Sequence, residues 1–329
     1  LAGDARVVVI GSENVTCLSS EGDVLWTTKA FDPQSQLKRY GDVITMDLDS
    51  DGASEVITQT RDSTNGEQSL LAWSIEDGSV YFKTLIDQNN SGMRRLAGGW
   101  LDGPEAPPHL LGGLPSALWS LNSKNGEPTP LSQLKLGVHE VVVDVNQDGK
   151  DDILAVNRQS LELVDASGEL VWSMDTELIK PNLGSVSSCD DSLFYLSASS
   201  RGTRLWRRNL TDGQWEDEVT LAGGLVFDSD EDAQDAGLLP SSLGNTLSFT
   251  TTTGEQGVAV GSQDGFLYVL NPCDLSLTFA VAIDAPLREI IAADWDGDGS
   301  KELVVSAADG YVYGVDRKEM EGPSFVLDT

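Results

Sequence analysis

A short strand-like run that ends in a turn recurs about every 45 residues along the 329-residue chain. Seven such runs are present, and they begin at Val15, Leu70, Ala117, Leu161, Thr203, Phe266 and Tyr311. Glycine-containing turns follow most of them, as at Asp77-Gly78 and Asn125-Gly126. Such pairs favour hairpins, because both residues tolerate the positive φ of a tight turn. A repeat of this length cannot bury its apolar face alone, so successive repeats must stack on one another.

The spacing is that of a four-stranded propeller blade, and long amphipathic helical periodicity is absent. We therefore predict an all-β fold, a seven-bladed β-propeller that occupies residues 1–329 as a single domain. The longest step between copies contains a Ser/Thr/Gly-rich excursion at about residues 231–255, which is expected to form a long loop or an extra hairpin. The first copy lacks an inner strand. Either the C-terminal run 324–327 closes the ring, or the sequence starts after that strand.

A nine-residue pattern of alternating oxygen-bearing side chains appears three times in the chain. Its polar residues are Asp47, Asp49, Asp51 and Glu55, then Asp144, Asn146, Asp148 and Asp152, then Asp294, Asp296, Asp298 and Glu302. Positions 1, 3 and 5 converge where the backbone turns, a glycine at position 6 permits the bend, and position 7 offers its carbonyl. Calcium fits this donor set, because magnesium demands tighter geometry and a thiophilic metal would require Cys or His. Apolar, strand-like runs flank each loop, which distinguishes it from a helical EF-hand.

The motif and its strand flanks resemble the FG-GAP repeat, also called the integrin α-type or VCBS-type repeat. Runs at 261–270 and 309–316 are in addition similar to quinoprotein-like (PQQ-like) propeller repeats. The FG-GAP resemblance implies about three Ca²⁺ sites, each in the loop between the first two strands of a blade. It also implies that Ala53, Lys150 and Ser300 donate backbone carbonyls. The run Asp228-x-Asp230-x-Asp232 keeps three ligand positions but lacks the glycine and the closing acid, so it is a weaker candidate.

Composition narrows the choice of partner and compartment. With 53 acidic and 21 basic side chains the formal charge is -32, which repels phosphate backbones and anionic membranes. We therefore expect no nucleic-acid partner, and, since no long apolar run is present, no direct membrane insertion in this segment. The three cysteines are expected to be free or buried thiols, with one disulfide as the alternative. Calcium is millimolar outside cells, which favours an extracellular, periplasmic or luminal location.

Candidate ligand-binding residues are few. The two histidines lie in no catalytic motif, and no nucleophile, phosphate-loop or dinucleotide motif is present, so the chain is not expected to be an enzyme. Most tryptophans follow the repeat and are expected to pack between blades, whereas Trp100, Trp206 and Trp295 are candidate ligand platforms. Arg204, Arg207 and Arg208 belong to a dense basic patch that could bind an acidic peptide or a sulfated glycan. Pairing of these arginines with neighbouring acids is the competing expectation.

Three functions remain after these arguments. The leading one is a non-enzymatic, calcium-stabilised extracellular β-propeller that acts as an adhesion or protein-interaction module, alone or as the ectodomain of a larger surface protein. Its partner would be a protein or a glycan at the cell surface. The alternative is a carbohydrate-binding, lectin-like propeller. A quinone-dependent dehydrogenase or a polysaccharide-degrading enzyme ranks third, because a quinone enzyme would need a cofactor pocket with a stacking tryptophan and a central calcium.

Overall fold

The structure, a computed structural model, describes residues 6–10, 14–19, 22–29, 37–62, 67–87, 95–106, 108–114, 117–130, 138–156, 160–175, 182–187, 192–198, 203–240, 243–250, 256–294, 301–315 and 325–328. It divides into two compact units, Arg6–Asp175 and Thr176–Thr329. In both units the described residues are almost entirely β-strands, and every strand pair is antiparallel between chain neighbours.

The unit Arg6–Asp175 contains four sheets among its described residues. The first consists of β1 (Arg6–Ile10), β2 (Asn14–Ser19) and β3 (Val24–Lys29). The second consists of β4 (Leu37–Met46), β5 (Glu55–Asp62), β6 (Gln68–Ser74) and β7 (Val80–Asp87). The third consists of β8 (Arg95–Gly99), β9 (His109–Leu114), β10 (Ala117–Leu121) and β11 (Pro128–Pro130), and the fourth of β12 (Val138–Val143), β13 (Asp152–Val156), β14 (Ser160–Val164) and β15 (Leu170–Asp175).

The unit Thr176–Thr329 contains three described sheets and one short helix. The fifth sheet consists of β16 (Asn182–Ser187), β17 (Ser192–Ala198), β18 (Thr203–Asn209), β19 (Trp215–Ala222) and β20 (Leu225–Phe227), and the helix α1 (Asp230–Asp235) follows it. The sixth consists of β21 (Leu243–Thr250), β22 (Gln256–Ser262), β23 (Phe266–Leu270) and β24 (Leu277–Ala282). The seventh consists of β25 (Leu287–Ala293), β26 (Glu302–Ala307), β27 (Tyr311–Val315) and β28 (Phe325–Asp328).

Seven sheets in the described residues match the predicted number of repeats, and the structure adds two details about the expected insertion and the C-terminal run. The expected insertion at 231–255 is not one continuous loop, because Leu243–Thr250 forms β21 and pairs with β22. The additional structure consists of β20, which precedes that segment, and α1, which overlaps its start. The C-terminal run pairs with β27 as the last strand of the seventh sheet and does not supply an inner strand to the first. That residues 1–329 form a single domain stays a prediction.

Apolar side chains between successive sheets of each unit form the core. Strands in the middle of a sheet are buried on both faces, as in β14 (Ser160–Val164), whereas the outer strand β3 is half-exposed along its length. The cluster between the second and third sheets is representative. Its buried members are Leu48, Ile57, Leu70, Ala72, Phe82, Leu96, Leu110 and Leu121. Middle strands therefore read as nearly continuous apolar runs, because neighbouring sheets cover both of their faces.

The glycine in the turn between the last two strands gives room to an aromatic ring of the preceding sheet. Gly78 has φ +70°, and a Cβ placed on it would lie 2.7 Å from the ring of Trp26. The indole N–H of Trp26 donates to the carbonyl of Ile75 at 2.9 Å. Gly126 receives Phe82 in the same way, with a Cβ-to-ring distance of 2.7 Å. Glycine is thus required twice at these turns, for its φ and for the close approach of the ring.

Gly78→Ala is expected to destabilise the protein by about 2 to 5 kcal/mol. Of this, about 1 to 2 kcal/mol comes from placing Ala at positive φ, and about 1 to 3 kcal/mol comes from the clash with Trp26. Gly237→Ala is the matched control, because Gly237 has φ +77° but nothing within 4 Å of its Cβ position. Urea unfolding of both variants measures the difference. Equal losses of unfolding free energy would show that the aromatic contact contributes nothing.

A buried ion pair fixes α1 against the fifth sheet. The guanidinium of Arg204 donates to both carboxylate oxygens of Asp230, at 3.3 and 3.1 Å, and to Glu218 at 2.8 Å. Asp230 is only 3% exposed, and it also accepts a 2.7 Å hydrogen bond from the hydroxyl of Thr220. The hydrogen bond to Asp230 and the neighbouring negative charges raise the pKa of Arg204. Arg204 therefore supplies charge compensation to the buried carboxylate of Asp230.

Arg204→Met is expected to lower the free energy of unfolding by about 3 kcal/mol, because it removes the cation that pairs with the buried Asp230 carboxylate. Arg208→Met is the matched control and should cost under about 1 kcal/mol. The double variant Arg204→Met/Asp230→Asn should recover part of the loss, since it removes the buried charge as well. Urea unfolding measures all three. A small effect of Arg204→Met would contradict a structural role for this pair.

Candidate metal-binding loops

The three acidic loops connect the first two strands of their sheets. The first loop joins β4 to β5 and the second joins β12 to β13, and the structure describes both loops completely. Of the third loop, between β25 and β26, it describes the first and last predicted ligands, Asp294 and Glu302. Four predicted residues of that loop lie outside the described residues. They are Trp295, Asp296, Asp298 and Ser300.

In the first loop the acidic side chains accept hydrogen bonds from the backbone of the same turn. Asp47 accepts from the N–H of Asp51 at 3.2 Å and from that of Gly52 at 2.9 Å. Asp49 accepts from the N–H of Asp51 at 3.2 Å, and Asp51 accepts from that of Ala53 at 2.8 Å. Gly52 has φ +92°, a conformation that glycine adopts without strain. These bonds wind the chain so that positions 1, 3 and 5 face the inside of one turn.

The second loop repeats this arrangement, bond for bond. Asp144 accepts from the N–H of Asp148 at 3.1 Å and from that of Gly149 at 2.8 Å. Asn146 accepts from the N–H of Asp148, and Asp148 accepts from that of Lys150, both at 2.9 Å. Gly149 has φ +85°. The same backbone frame therefore forms in two repeats whose other residues differ.

The acid at position 9 closes each loop and is the buried member of the set. Glu55 is 3%, Asp152 2% and Glu302 5% exposed. Glu55 accepts from the N–H of Leu48 at 2.9 Å, and Asp152 accepts from that of Val145 at 3.1 Å. Burial raises the pKa of both carboxyl groups, and the other acids of each loop raise it further. The sequence marks these positions as ligands but does not show that they lie at the edge of the core.

The first loop clusters carboxylate oxygens, and the second leaves a buried carboxylate oxygen without a hydrogen-bond partner. In the first loop Asp47, Asp49 and Glu55 each offer one carboxylate oxygen, and these oxygens lie within 4.8 Å of one another. In the second loop Oδ1 of Asp152 is buried and has no hydrogen-bond partner. Clustered carboxylates repel one another and make burial of the charged form unfavourable. The arrangement is chemically suited to a hard cation.

The weaker candidate at Asp228, Asp230 and Asp232 forms a helix cap and not a loop. Ser229 caps α1 and accepts a 3.2 Å hydrogen bond from the N–H of Asp232. Asp230 is engaged by Arg204, as described above. Without a glycine at position 6, the segment continues into helical turns that keep these carboxylates from converging.

The two described candidate tryptophans differ in exposure. Trp100 is 46% exposed and lies in the turn between β8 and β9. Its backbone N–H donates to the carboxylate of Asp151 at 2.7 Å, and its carbonyl accepts from the N–H of Asp151 at 3.2 Å. Trp206 is half-buried on β18, with the guanidinium of Arg208 6.0 Å from its ring centroid. Trp100 is therefore the one of this pair that offers an open aromatic face.

The basic patch on β18 is engaged within its own unit. Arg204 holds Asp230 and Glu218, as described above. Arg207 donates to the carbonyls of Pro272 and Cys273, and Arg208 donates to the carbonyl of Gly213 at 3.2 Å. These contacts favour the expectation that the arginines stabilise the fold, and a ligand-binding role for them stays a prediction.

One arrangement was not anticipated from the sequence, and the state of two cysteines is now clear. His109 bridges Asp102, at 2.8 Å from Nε2, and Ser120, at 3.2 Å from Nδ1. The partners come from different strands and turns, so no local motif could reveal this chain of hydrogen bonds. Cys273 is disulfide-bonded and Cys17 is a free, buried thiol. This agrees with the alternative of one disulfide given in the sequence analysis. Cys189 lies outside the described residues.

No protein-family model matches the chain, and no curated protein matches its sequence. Solved structures do match. BBS1N, from the crystal structure of its complex with ARL6DN, is 12% identical over 91% of this chain and 86% of that chain, with a TM-score of 0.57. Sqt1 of Saccharomyces cerevisiae is 12% identical over 95% and 82%, with a TM-score of 0.59. The dihydro-heme d1 dehydrogenase NirN, in complex with DHE, is 14% identical over 98% of this chain and 63% of that chain, with a TM-score of 0.60.

At these identities the similarity shows the fold alone. In all, 1049 solved chains match, so the architecture is common and does not by itself indicate an activity. Among the described residues, no helix has the length and apolar character that a membrane span requires. Seven antiparallel sheets with strands in chain order, and similarity to solved β-propellers, lead to one conclusion: the chain is an all-β, seven-bladed β-propeller.

Proposed function

We propose that the chain is a non-enzymatic β-propeller of the FG-GAP type, stabilised by calcium, that binds a protein partner outside the cytosol. The observation that carries the proposal is the geometry shared by the first and second loops. In each loop positions 1, 3 and 5 face one turn, and a buried carboxylate closes it. Two repeats with different sequences share a backbone conformation that brings several oxygen atoms together.

The donor set fits calcium better than other cations. The ligands of the first site would be Asp47, Asp49, Asp51, the carbonyl of Ala53, and Glu55. Those of the second would be Asp144, Asn146, Asp148, the carbonyl of Lys150, and Asp152. All are oxygen donors, and their number exceeds what magnesium accepts alongside its retained waters. A cation would also compensate Oδ1 of Asp152, which otherwise lacks a partner in a buried place.

We extend the same assignment to the third loop. Glu302 is buried like Glu55 and Asp152, and Asp294 directly follows the preceding strand as Asp47 and Asp144 do. The remaining ligands, Asp296, Asp298 and Ser300, stay predictions from the sequence.

An oxidising, calcium-rich compartment suits these features. The Cys273 disulfide would persist in secreted, periplasmic or luminal proteins and would be reduced in the cytosol. Loop sites of this exposed kind are also filled most readily at the millimolar calcium found outside cells. A protein partner is supported by the propeller architecture, since BBS1N, a structure of similar fold, is seen in complex with ARL6DN.

One observation favours a carbohydrate-binding propeller as the second candidate. The indole of Trp100 is 46% exposed, and an open aromatic face is a platform on which a sugar ring can stack. A formal charge of -32 leaves neutral sugars free to approach, so charge alone does not separate the two candidates.

Calcium is expected to raise the melting temperature by roughly 5 °C or more over the chelated protein, because it binds only the folded state. The change in melting temperature caused by Asp152→Asn should have opposite signs in chelator and in calcium. In chelator the variant should melt slightly higher than the wild type, because it removes a buried charge that lies among other carboxylates. With calcium in excess it should melt lower by a few degrees, because a ligand is lost. Differential scanning calorimetry in chelator, calcium and magnesium measures each case.

Glu127→Gln is the matched control for this experiment. Glu127 is an exposed acid in the turn between β10 and β11, outside any metal loop, so its removal should shift both conditions alike. A wild type whose melting temperature ignores calcium, or an Asp152→Asn variant with no change of sign, would refute the calcium assignment.

The unreduced, denatured protein is expected to expose one free thiol per chain, from Cys17, and three after reduction. Burial raises the pKa of Cys17, so this thiol should react slowly while the protein is folded. Thiol titration with and without denaturant, followed by peptide mapping, tests the count. Three free thiols in unreduced protein from the native source would count against an oxidising compartment.

The interaction itself is tested by capture from cell-surface extracts on the immobilised chain in calcium, with elution by chelator. A protein that elutes with chelator and rebinds in purified form supports the proposal. Retention of glycans in its place, measured on a glycan array, would favour the second candidate.

A further inference from the structure

A cleft of about 660 Å³ lies between the first metal loop and the turn that follows β8. We call it the Trp100 cleft. Ile44, Met46 and Asp47 line one wall, and Trp100, Glu105 and Pro108 line the other. The volume lies within the range of small-ligand and peptide pockets. All of these residues belong to the unit Arg6–Asp175.

The cleft combines an aromatic platform with apolar walls. Trp100 is 46% exposed and lines the cleft. Ile44 and Met46 are half-buried and supply aliphatic surface opposite. A long side chain with an apolar stem and a polar end matches this lining.

Charge decides which polar end fits. Two of the lining residues, Asp47 and Glu105, are acidic, and none of the lining residues is basic. The adjacent loop carries four carboxylates, so one bound divalent cation would still leave it with two negative charges. Cations are attracted to such a site, and an indole face adds cation–π attraction.

We infer that the Trp100 cleft binds an arginine or lysine side chain from an extended, basic segment of a partner protein. The cation lies over Trp100 and near Glu105, and the aliphatic stem packs against Ile44 and Met46. This inference deepens the proposed interaction function and rests on it for the class of partner. It identifies the surface through which that partner is recognised.

The backbone of the platform is held by the second metal loop. The N–H and carbonyl of Trp100 both bond to Asp151, which lies between the predicted ligands Lys150 and Asp152. The first loop contributes Asp47 and Ser50 to the opposite wall. Both walls thus depend on loops whose order the bound metal would increase, and a preorganised site binds more tightly.

The probe is a dye-labelled pentapeptide, acetyl-Ala-Leu-Arg-Leu-Ala-amide, titrated with the whole chain in excess calcium and followed by fluorescence anisotropy. The same peptide with citrulline or glutamate in place of arginine serves as the charge control. Saturable binding of the arginine peptide is expected. The citrulline peptide should bind at least about threefold more weakly, and higher salt should weaken only the arginine peptide.

Two variants locate the binding in the cleft. Trp100→Ala should weaken the arginine peptide about tenfold, since cation–π and contact energy are lost together. Glu105→Lys should weaken it at least as much through charge reversal. Tyr311→Ala removes an exposed aromatic elsewhere, and Glu127→Lys reverses an exposed acid elsewhere, so both controls should bind as the wild type does. Neither cleft variant alters the backbone bonds to Asp151, and calcium melts confirm that each is folded.

Equal binding of arginine and citrulline peptides, or unchanged binding by Trp100→Ala, would overturn the inference. Competition by neutral sugars with no peptide binding would assign the cleft to carbohydrate instead. A captured partner that binds Trp100→Ala as tightly as wild type would leave the interaction function intact while removing the cleft from it. Binding of the peptide with no partner captured would count against the interaction function and not against the cleft.

Discussion

Apolar contact between successive sheets is the interaction on which the rest of this structure depends. The middle strands of a sheet are covered on both faces, so each sheet needs neighbours before its side chains leave water. Leu70 and Phe82 of the second sheet meet Leu96 and Leu110 of the third in one such contact. Because apolar packing covers the faces of the middle strands, clustered polar side chains lie mainly in the connections between strands. This packing explains why the described acidic loops and Trp100 lie in connections between strands.

The acidic loops place buried carboxylates beside that apolar core. Position 2 of the first loop, Leu48, is buried in the apolar cluster, and its N–H anchors the buried carboxylate of Glu55. The loop therefore cannot turn outward to hydrate its closing acid without disturbing the cluster. When no cation is present, burial and the neighbouring acids disfavour the charged forms of Glu55 and Asp152, so the pKa of each is raised. Since each folded pKa lies above its ordinary value, the metal-free fold loses stability as pH rises through that interval.

Much of the fold could be predicted from the sequence, because the repeat exposes its turns. Gly78, Gly126 and Gly168 lie at positive φ where the hairpin signals placed them, and the acidic loops connect strands as their flanks indicated. The strand β21 could not be recognised, since its Ser/Thr-rich sequence resembles a loop and only its pairing with β22 defines it. The place of the final strand stayed open in the sequence for the same reason, because pairing partners are set by distant residues.

The candidate sites also divide into those formed by local sequence patterns and those formed by contacts between distant residues. The loop ligands form local patterns of nine residues, so spacing sufficed to find them. The bond between Trp100 and Asp151, the ion pair of Arg204 with Asp230, and the hydrogen bonds of His109 join residues far apart or on different strands. No periodicity encodes such contacts, and the Trp100 cleft, whose walls come from two sheets, could be recognised only once the sheets were in place.

Because Trp26 and Gly78 contact each other across two sheets, a single repeat cannot be exchanged without regard to its neighbour. An indole at one position is compatible only with a side chain of no size at the other, so changes at the two sites are coupled and their energies cannot add. Phe82 and Gly126 form a second such couple. A graft that exchanged one whole repeat would separate both couples at its borders. A segment cut just after Gly78 and just after Gly126 would instead carry Phe82 together with Gly126 and leave Trp26 together with Gly78.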